Sequence, residues 1–166
     1  MELHYFKTSH DSKLFIVCVG GDSGFPRHYK FSGVTLPAKE WIPPLLSIKK
    51  LLQKVTGFKY NFVLVNRYRN GTDHMGEHRD DEAELDPDVP IASLSLGQER
   101  TFVLKHMNSR KNAKEQNNIK PIKIELQHGS LLLMNPPTNK FWYHSVPIRK
   151  NADRERINLT FRSIIK

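Results

Sequence analysis

Two imidazoles, a carboxylate and a pair of arginines are spaced along this chain in a way that suits metal-assisted oxidation. His78 and Asp80 are separated by one residue. Residues i and i+2 of an extended segment point to the same face, so one short stretch can present two ligands to one ion. His144, in the aromatic run Phe141-Trp142-Tyr143-His144, supplies a third. Two imidazoles and one carboxylate on one face of an octahedral ion leave open positions, as a non-haem Fe(II) site requires. A chelating α-keto acid and dioxygen are the small molecules that suit those positions. Zinc accepts the same ligand types and is the competing metal.

Close behind His144, Arg156, Asn158, Thr160 and Arg162 alternate with Ile157, Leu159 and Phe161. That is a period-2 strand with one apolar face and one hydrogen-bonding face. An ordinary half-exposed strand with solvated arginines shows the same alternation. The shared face with Asn and Thr favours a ligand grip instead. Guanidinium groups bind carboxylates through paired, charge-assisted hydrogen bonds, so two of them suit a dicarboxylate. Asn66 and Tyr68 form a second polar pair on one face of the run 61–68.

The elements that must position these groups are mainly strands. A helix is expected over Pro43–Val55, with two prolines at its start, Leu45, Ile48, Leu52 and Val55 at helical spacing, and Gly57 at its stop. Strands are expected near 61–68, 91–96, 101–106, 121–126, 130–134, 141–146 and 156–164, separated by turn-rich pieces such as Asn70-Gly71 and Asn135-Pro136-Pro137. A mainly β chain with one flanking helix suits a double-stranded β-helix, or jelly roll, with the helix packed outside. At 166 residues there is room for one compact domain. The apolar run Leu14–Val19 reads as a buried strand, too short to span a membrane and poorly flanked for a signal peptide. Cys18 is the only cysteine, which excludes an intramolecular disulfide and suits a reducing compartment. His74 and His106 are not assigned to the metal, since a fourth imidazole would fill a position the chemistry needs, and His128, before Gly129, reads as a turn residue or one that orients a ligand. Ser145 beside His144 has no nucleophile elbow, which argues against a hydrolase.

With 26 Lys+Arg against 17 Asp+Glu the chain carries a formal charge of +9, so it is drawn to polyanions. Two basic clusters stand out as candidates for contact with a nucleic-acid backbone: Arg110, Lys111 and Lys114 in one polar loop, and Arg149 and Lys150 in another. Solvated loops have the same composition.

Taken together, Asn66-Arg67-Tyr68, His78-Arg79-Asp80-Asp81-Glu82, Pro90-Ile91-Ala92-Ser93, His128-Gly129-Ser130-Leu131, Trp142-Tyr143-His144-Ser145 and the final Arg-x-Asn-x-Thr-x-Arg resemble the AlkB group of Fe(II)/2-oxoglutarate dioxygenases. Within that group the chain is most similar to the animal branch that repairs alkylated bases in duplex DNA. The resemblance covers residues 29–166, the dioxygenase domain; the segment 1–28 is poorly matched. It implies a jelly roll, with His78, Asp80 and His144 binding iron. It further implies that Arg156 and Tyr68 hold the distal carboxylate of 2-oxoglutarate, with Arg162 and Asn66 near the chelating end and Asn158 and Thr160 lining the pocket. Tyr29, Phe31 and Ser32 match a loop over the flipped base, and Asp81, with Glu82 as its neighbour, matches a carboxylate that contacts the base. Arg149 and Lys150 match a basic loop that touches the opposite strand, although Asn151 stands where the family has a third basic residue.

The activity so implied is oxidative demethylation of 1-methyladenine and 3-methylcytosine in DNA. Its cofactor is Fe(II), its co-substrates are 2-oxoglutarate and O2, and its products include succinate, carbon dioxide and formaldehyde. A base methylated on a ring nitrogen can be cationic, which Asp81 and the faces of Tyr29 and Phe31 favour, and it must leave the stack to be reached. The expected partner is alkylated duplex DNA, with single-stranded DNA or RNA as alternatives, acted on by a nuclear monomer that does not engage a membrane. The family's aromatic wedge, which fills the gap left by the flipped base, has no match before Tyr29. Two other readings share the motifs: a 2-oxoglutarate oxygenase acting on RNA or protein, and a catalytically silent nucleic-acid-binding module. The silent module is disfavoured because no iron ligand and neither arginine is missing.

Overall fold

The computed structural model describes residues 5–8, 12–20, 28–31, 34–109 and 119–165, with side chains described for 17–20, 38–109 and 119–165. In chain order the elements are β1 (Tyr5–Thr8), β2 (Ser12–Gly20), β3 (His28–Phe31), β4 (Val34–Pro37), α1 (Pro43–Thr56), β5 (Phe62–Tyr68), β6 (Met75–His78), β7 (Ile91–Gly97), β8 (Arg100–His106), β9 (Ile122–Leu126), β10 (Leu131–Met134), α2 (Thr138–Phe141), β11 (Trp142–Val146) and β12 (Arg156–Arg162). A six-stranded antiparallel sheet runs β1-β2-β5-β12-β7-β10 and faces a four-stranded sheet, β6-β11-β8-β9. This is the expected jelly roll.

The six-stranded sheet is covered on both faces, which explains its sequence. Phe62, Leu64 and Tyr68 from β5 and Ile91 from β7 meet Phe102, Leu126 and Val146 of the other sheet in an inner core. The alternate residues Val63, Ala92, Leu159 and Phe161 point outward, where Leu45 and Leu52 of α1 pack on them. Strand β12 lies at the centre, so its polar face is interior: Arg156 is 1% and Arg162 2% exposed. The solvated strand that the alternation alone allowed is thereby excluded.

Helix α1 begins where Pro43 and Pro44 supply fixed φ at positions that need no N–H partner. It stops at Gly57, whose φ of 79° is a left-handed cap that a side chain would strain. The expected apolar face is rotated in one respect: Val55 is exposed, and Lys49 is buried with its Nζ 4.6 Å from the Trp41 ring centroid. Leu45, Lys49 and Leu52 follow the i, i+4, i+7 row, which leaves Val55 at its rim. Likewise the strand expected from 141 begins at Trp142, because Thr138–Phe141 forms a short helical turn.

The loop between β5 and β6 is held by Asp73, which is 0% exposed. Its carboxylate accepts from the Arg69 backbone N–H (2.9 Å), Nε (2.9 Å) and Nη2 (2.6 Å). Burial alone would raise the Asp73 carboxyl; these hydrogen bonds and the Arg69 charge outweigh it and lower it below its unperturbed 3.8. A depressed carboxylate contributes stability that is present above the unfolded value and lost as pH falls through the folded one. Asp73→Asn is therefore expected to cost about 2 kcal/mol at pH 7. It should also flatten the acid limb below pH 3.8, as thermal melts at pH 7 and pH 3 would read. An unchanged acid limb would assign that limb to other carboxylates.

Candidate active site

Strand pairing brings the sequence-distant imidazoles together. In the β6–β11 pair His78 stands directly opposite His144, with ring centroids 4.2 Å apart. The strand ends at His78, so Asp80 reaches the same point from the irregular segment that follows rather than from a continued strand. His78 Nε2 lies 3.6 Å and His144 Nε2 3.8 Å from Asp80 Oδ1, and the donor atoms of all three lie within 4.8 Å of one another. Among the described residues this is the group able to hold a metal ion. His106 packs edge-on to Trp142, His128 Nδ1 accepts the Gly97 N–H at 2.8 Å, and His74 Nδ1 lies 3.1 Å from Thr72 O; none of them joins it.

Each ligand is oriented by its surroundings. His78 Nδ1 is 2.9 Å from the Gly76 carbonyl, which places its proton there and leaves the Nε2 lone pair for a metal. The His144 ring stacks at 5.3 Å on Phe102, and burial pushes its imidazole down to about 4, further than Asp80 raises it, so it is neutral at pH 7. Arg162 Nη2 donates to Asp80 Oδ2 at 2.7 Å and leaves Oδ1 facing the imidazoles. Burial would raise the Asp80 carboxyl; Arg162, then His144 and His78, outweigh it and hold the group below the usual carboxylate range. Asp80 Oδ1 is buried and accepts no hydrogen bond from the described residues. A buried acceptor with no donor among the described residues, flanked by two imidazole Nε2 atoms, fits a divalent cation.

The floor is the polar face of three adjacent central strands. The register sets Arg156 beside Tyr68 and Asn158 beside Asn66 on one side, and Asn158 beside Ser95 and Thr160 beside Ser93 on the other. Asn158 Nδ2 donates to Ser93 Oγ at 2.8 Å, Thr160 Oγ1 donates to Asn158 Oδ1 at 3.0 Å, and Arg156 Nη2 donates to Ser95 Oγ at 3.0 Å. The Arg156 guanidinium stands 5.0 Å over the Tyr68 ring, and its Nε and Nη1 are buried without acceptors among the described residues. Burial raises the Tyr68 phenol despite Arg156 and Arg100, so it is a neutral O–H donor at pH 7. In the interior Arg100, Arg156 and Arg162 outnumber Asp73 and Asp80. Orphaned donors and surplus positive charge fit a dianion such as a dicarboxylate.

A narrow space of about 40 Å³ over His78, Asp80 and His144 adjoins a roomier cleft of about 430 Å³; Asp80 and Met134 line both. Asp81 and Glu82 lie on the cleft wall, Asp81 accepting from Arg79 Nη2 at 3.1 Å and Glu82 3.7 Å from Arg162 Nη1. Arg149 is in the basic turn but its Nη1 already faces Glu125 at 3.1 Å and Glu99 at 3.4 Å; Lys150 is exposed. Ser32, Arg110, Lys111 and Lys114 lie outside the described residues, as do the side chains of Tyr29 and Phe31. Ser93 and Ser95 join the floor as well, and their alternation with Ala92, Leu94 and Leu96 is a period-2 signal like that of the β12 polar residues. Arg100 and Asp73 carry no such signal, since their partners are distant backbone carbonyls or lie in a loop.

The profile of the 2OG-Fe(II) oxygenase superfamily matches residues 7–162. The chain belongs to that superfamily. As a 2OG-Fe(II) oxygenase domain it has Fe(II) for its metal and 2-oxoglutarate and O2 as co-substrates. It is 52% identical over 145 residues, 87% of the chain, to the DNA oxidative demethylase ALKBH2 of Mus musculus, of which it covers 59%. It is 36% identical to the alpha-ketoglutarate-dependent dioxygenase alkB homolog 3 of Rattus norvegicus, with 82% of this chain and 46% of that protein covered. It thus spans about half the length of the curated relatives it matches. The solved structure of OsALKBH1 shares the fold at a TM-score of 0.60 and 23% identity, covering 96% of this chain and 84% of that one. No helix among the described residues is long and apolar enough to cross a membrane.

Proposed function

We propose that this chain is an iron- and 2-oxoglutarate-dependent oxygenase that removes N-methyl groups from damaged bases in DNA, 1-methyladenine and 3-methylcytosine among them. The observation that carries the reading is that the interior between the two sheets holds the His78–Asp80–His144 group on one side and, on the facing strand β12, the buried Arg156 with donors that find no acceptor among the described residues. When bound, iron supplies the oxidising chemistry, by which 2-oxoglutarate and dioxygen yield succinate and carbon dioxide as the methyl carbon is hydroxylated. The hydroxymethyl group then leaves as formaldehyde: its C–N bond breaks, the electron pair returns to the ring nitrogen, and the hydroxyl proton is released. The chain's own part is to hold and exclude. Arg156 and Tyr68 grip the distal carboxylate, while Arg162 and Asn66 lie by the chelating end. Asn158, Thr160, Ser93 and Ser95 form a hydrogen-bonded floor that keeps water from it.

The DNA substrate is supported by the similarity to a DNA oxidative demethylase and by a formal charge of +9. The cleft beside Asp80 is the approach we assign to the methylated base, where Asp81 and Glu82 favour positive charge on the ring. Backbone contact from the basic turn falls to Lys150 more than to Arg149, because two carboxylates already face the Arg149 guanidinium. Duplex DNA is the preferred form in this reading, and the nucleus its place of action.

The test is incubation with Fe(II), 2-oxoglutarate and oligonucleotides carrying 1-methyladenine or 3-methylcytosine, single-stranded and duplex, with demethylated product measured. Repair of both lesions in the duplex is the expected result. Repair of single strands only would overturn the duplex preference. Succinate formation without demethylation would redirect the search to an RNA or protein substrate.

A further inference from the structure

Arg100 is buried at the start of β8, 1% exposed, and makes no contact with the metal group. Its Nη1 donates to Asn70 O at 3.1 Å, and its Nη2 donates to Asp73 O at 2.8 Å and Pro147 O at 2.8 Å. Those three carbonyls belong to two loops, residues 69–74 after β5 and residues 147–155 after β11. The first loop joins Tyr68 to the strand of His78, and the second joins the strand of His144 to Arg156. Around Gly71 the loops interlock: Gly71 N–H donates to Ala152 O at 2.6 Å, Arg149 N–H donates to Gly71 O at 2.9 Å, and a Cβ on Gly71 would stand 1.8 Å from Arg149 O. The Arg100 guanidinium also lies 5.5 Å from the Tyr68 ring centroid, while Arg156 stands 5.0 Å from the same ring.

We propose that Arg100 is a positioning residue for the 2-oxoglutarate pocket, clamping the two loops and the Tyr68 ring so that Tyr68 and Arg156 meet the distal carboxylate together. The inference rests on the reading of Arg156 and Tyr68 as the grip for that carboxylate. A planar guanidinium is suited to this task because its donors diverge in one plane and reach three carbonyls at once, with its face left to a ring. An ammonium retains the charge but not the fork. Residues that orient a binding group without touching the ligand can matter nearly as much as the group itself.

The test is calorimetric titration of 2-oxoglutarate into the Fe(II)-loaded protein without oxygen, alongside KM and kcat from succinate formation. Arg100→Lys is expected to weaken 2-oxoglutarate about 10- to 100-fold, in affinity and in KM, with kcat nearly unchanged. Arg100→Met, which preserves the volume of the buried stem, provides a folded comparison if lysine does not seat, and its loss should be at least as large. In a Tyr68→Leu background the Arg100→Lys change should add little, since the two act as one unit. Equal affinity of parent and both Arg100 variants, or full additivity with Tyr68→Leu, would overturn the proposal while leaving the pocket reading intact. Failure of the parent itself to bind 2-oxoglutarate would overturn both.

Discussion

Asp80→Asn is expected to lower iron-dependent turnover by at least ~100-fold, since loss of a direct ligand should exceed the cost of disturbing a ligand's supporting partner. Asn presents Arg162 with a carbonyl of the same shape but brings no negative charge to the metal group. The choice of Asn over Ala follows from the structure. On sequence alone Asp80→Ala looks like a change that leaves the fold intact. Arg162, however, is 2% exposed and donates to Asp80 Oδ2 at 2.7 Å, so truncation at Asp80 strands a buried guanidinium. Breaking such a pair from one side costs about 3–5 kcal/mol, a large share of the ~5–15 kcal/mol that stabilises a typical domain. Asp80→Ala should therefore melt well below the parent, and Asp80→Asn, which keeps the hydrogen bond to Arg162 but not the counter-charge, between the two. Iron content after loading, succinate formation and a thermal melt separate the two effects. Normal turnover in the Asn variant would remove Asp80 from the ligand set.

Arg156→Met should produce the opposite pairing of effects: a pocket that no longer binds 2-oxoglutarate in a protein at least as stable as the parent. Arg156 is 1% exposed, lies over Tyr68 and donates to Ser95, and no carboxylate among the described residues forms an ion pair with it. A buried cation without a counter-charge is costly in the folded state, and replacement by an apolar chain of similar length removes that cost. In the proposed function the co-substrate supplies that counter-charge. Truncating one side of a buried charged contact costs about 2–4 kcal/mol, or roughly 30- to 1,000-fold in 2-oxoglutarate affinity. DNA affinity should be unchanged. A second signature follows from linkage: 2-oxoglutarate at a hundredfold excess over Kd should raise the parent's Tm by about 5–10 °C and leave the variant's where it is. A variant that is destabilised, with an unchanged dependence on 2-oxoglutarate, would make Arg156 an ordinary structural residue.

Both experiments depend on a distinction between charge that is satisfied within the chain and charge held for a ligand. Arg162 has its carboxylate in Asp80, and Asp73 has its cation in Arg69. Arg156 has Tyr68 and Ser95, which are polar partners without charge. That pattern separates structural ion pairing from binding capacity more sharply than burial does, since all of these groups are buried on one side of the pair or both.

The sequence by itself determined the local features of this protein. Period-2 alternation placed β5, β7, β8, β9, β10, β11 and β12 within a residue or two, because side chains alternate across a strand whatever its neighbours are. The two prolines and Gly57 bounded α1 because they act through φ and the N–H count of their own residues. The types and spacing of His78, Asp80 and His144 suggested a metal group, and the structure brings the three together, since ligand type and number can be read from the chain; Arg156 and Arg162 suggested a dicarboxylate grip. Tertiary structure decided what depends on the second sheet and on strand order. It buried the polar face of β12, which the alternation left free to face water, by placing it between β5 and β7 beneath the four-stranded sheet. It set His78 opposite His144 through the β6–β11 register, and it matched Ser93 and Ser95 to Thr160 and Asn158 across β7. It turned Arg149 toward Glu99 and Glu125, and Arg100 toward carbonyls of two loops. These partners are far apart in the chain, and no local pattern encodes a contact that only the folded backbone brings together.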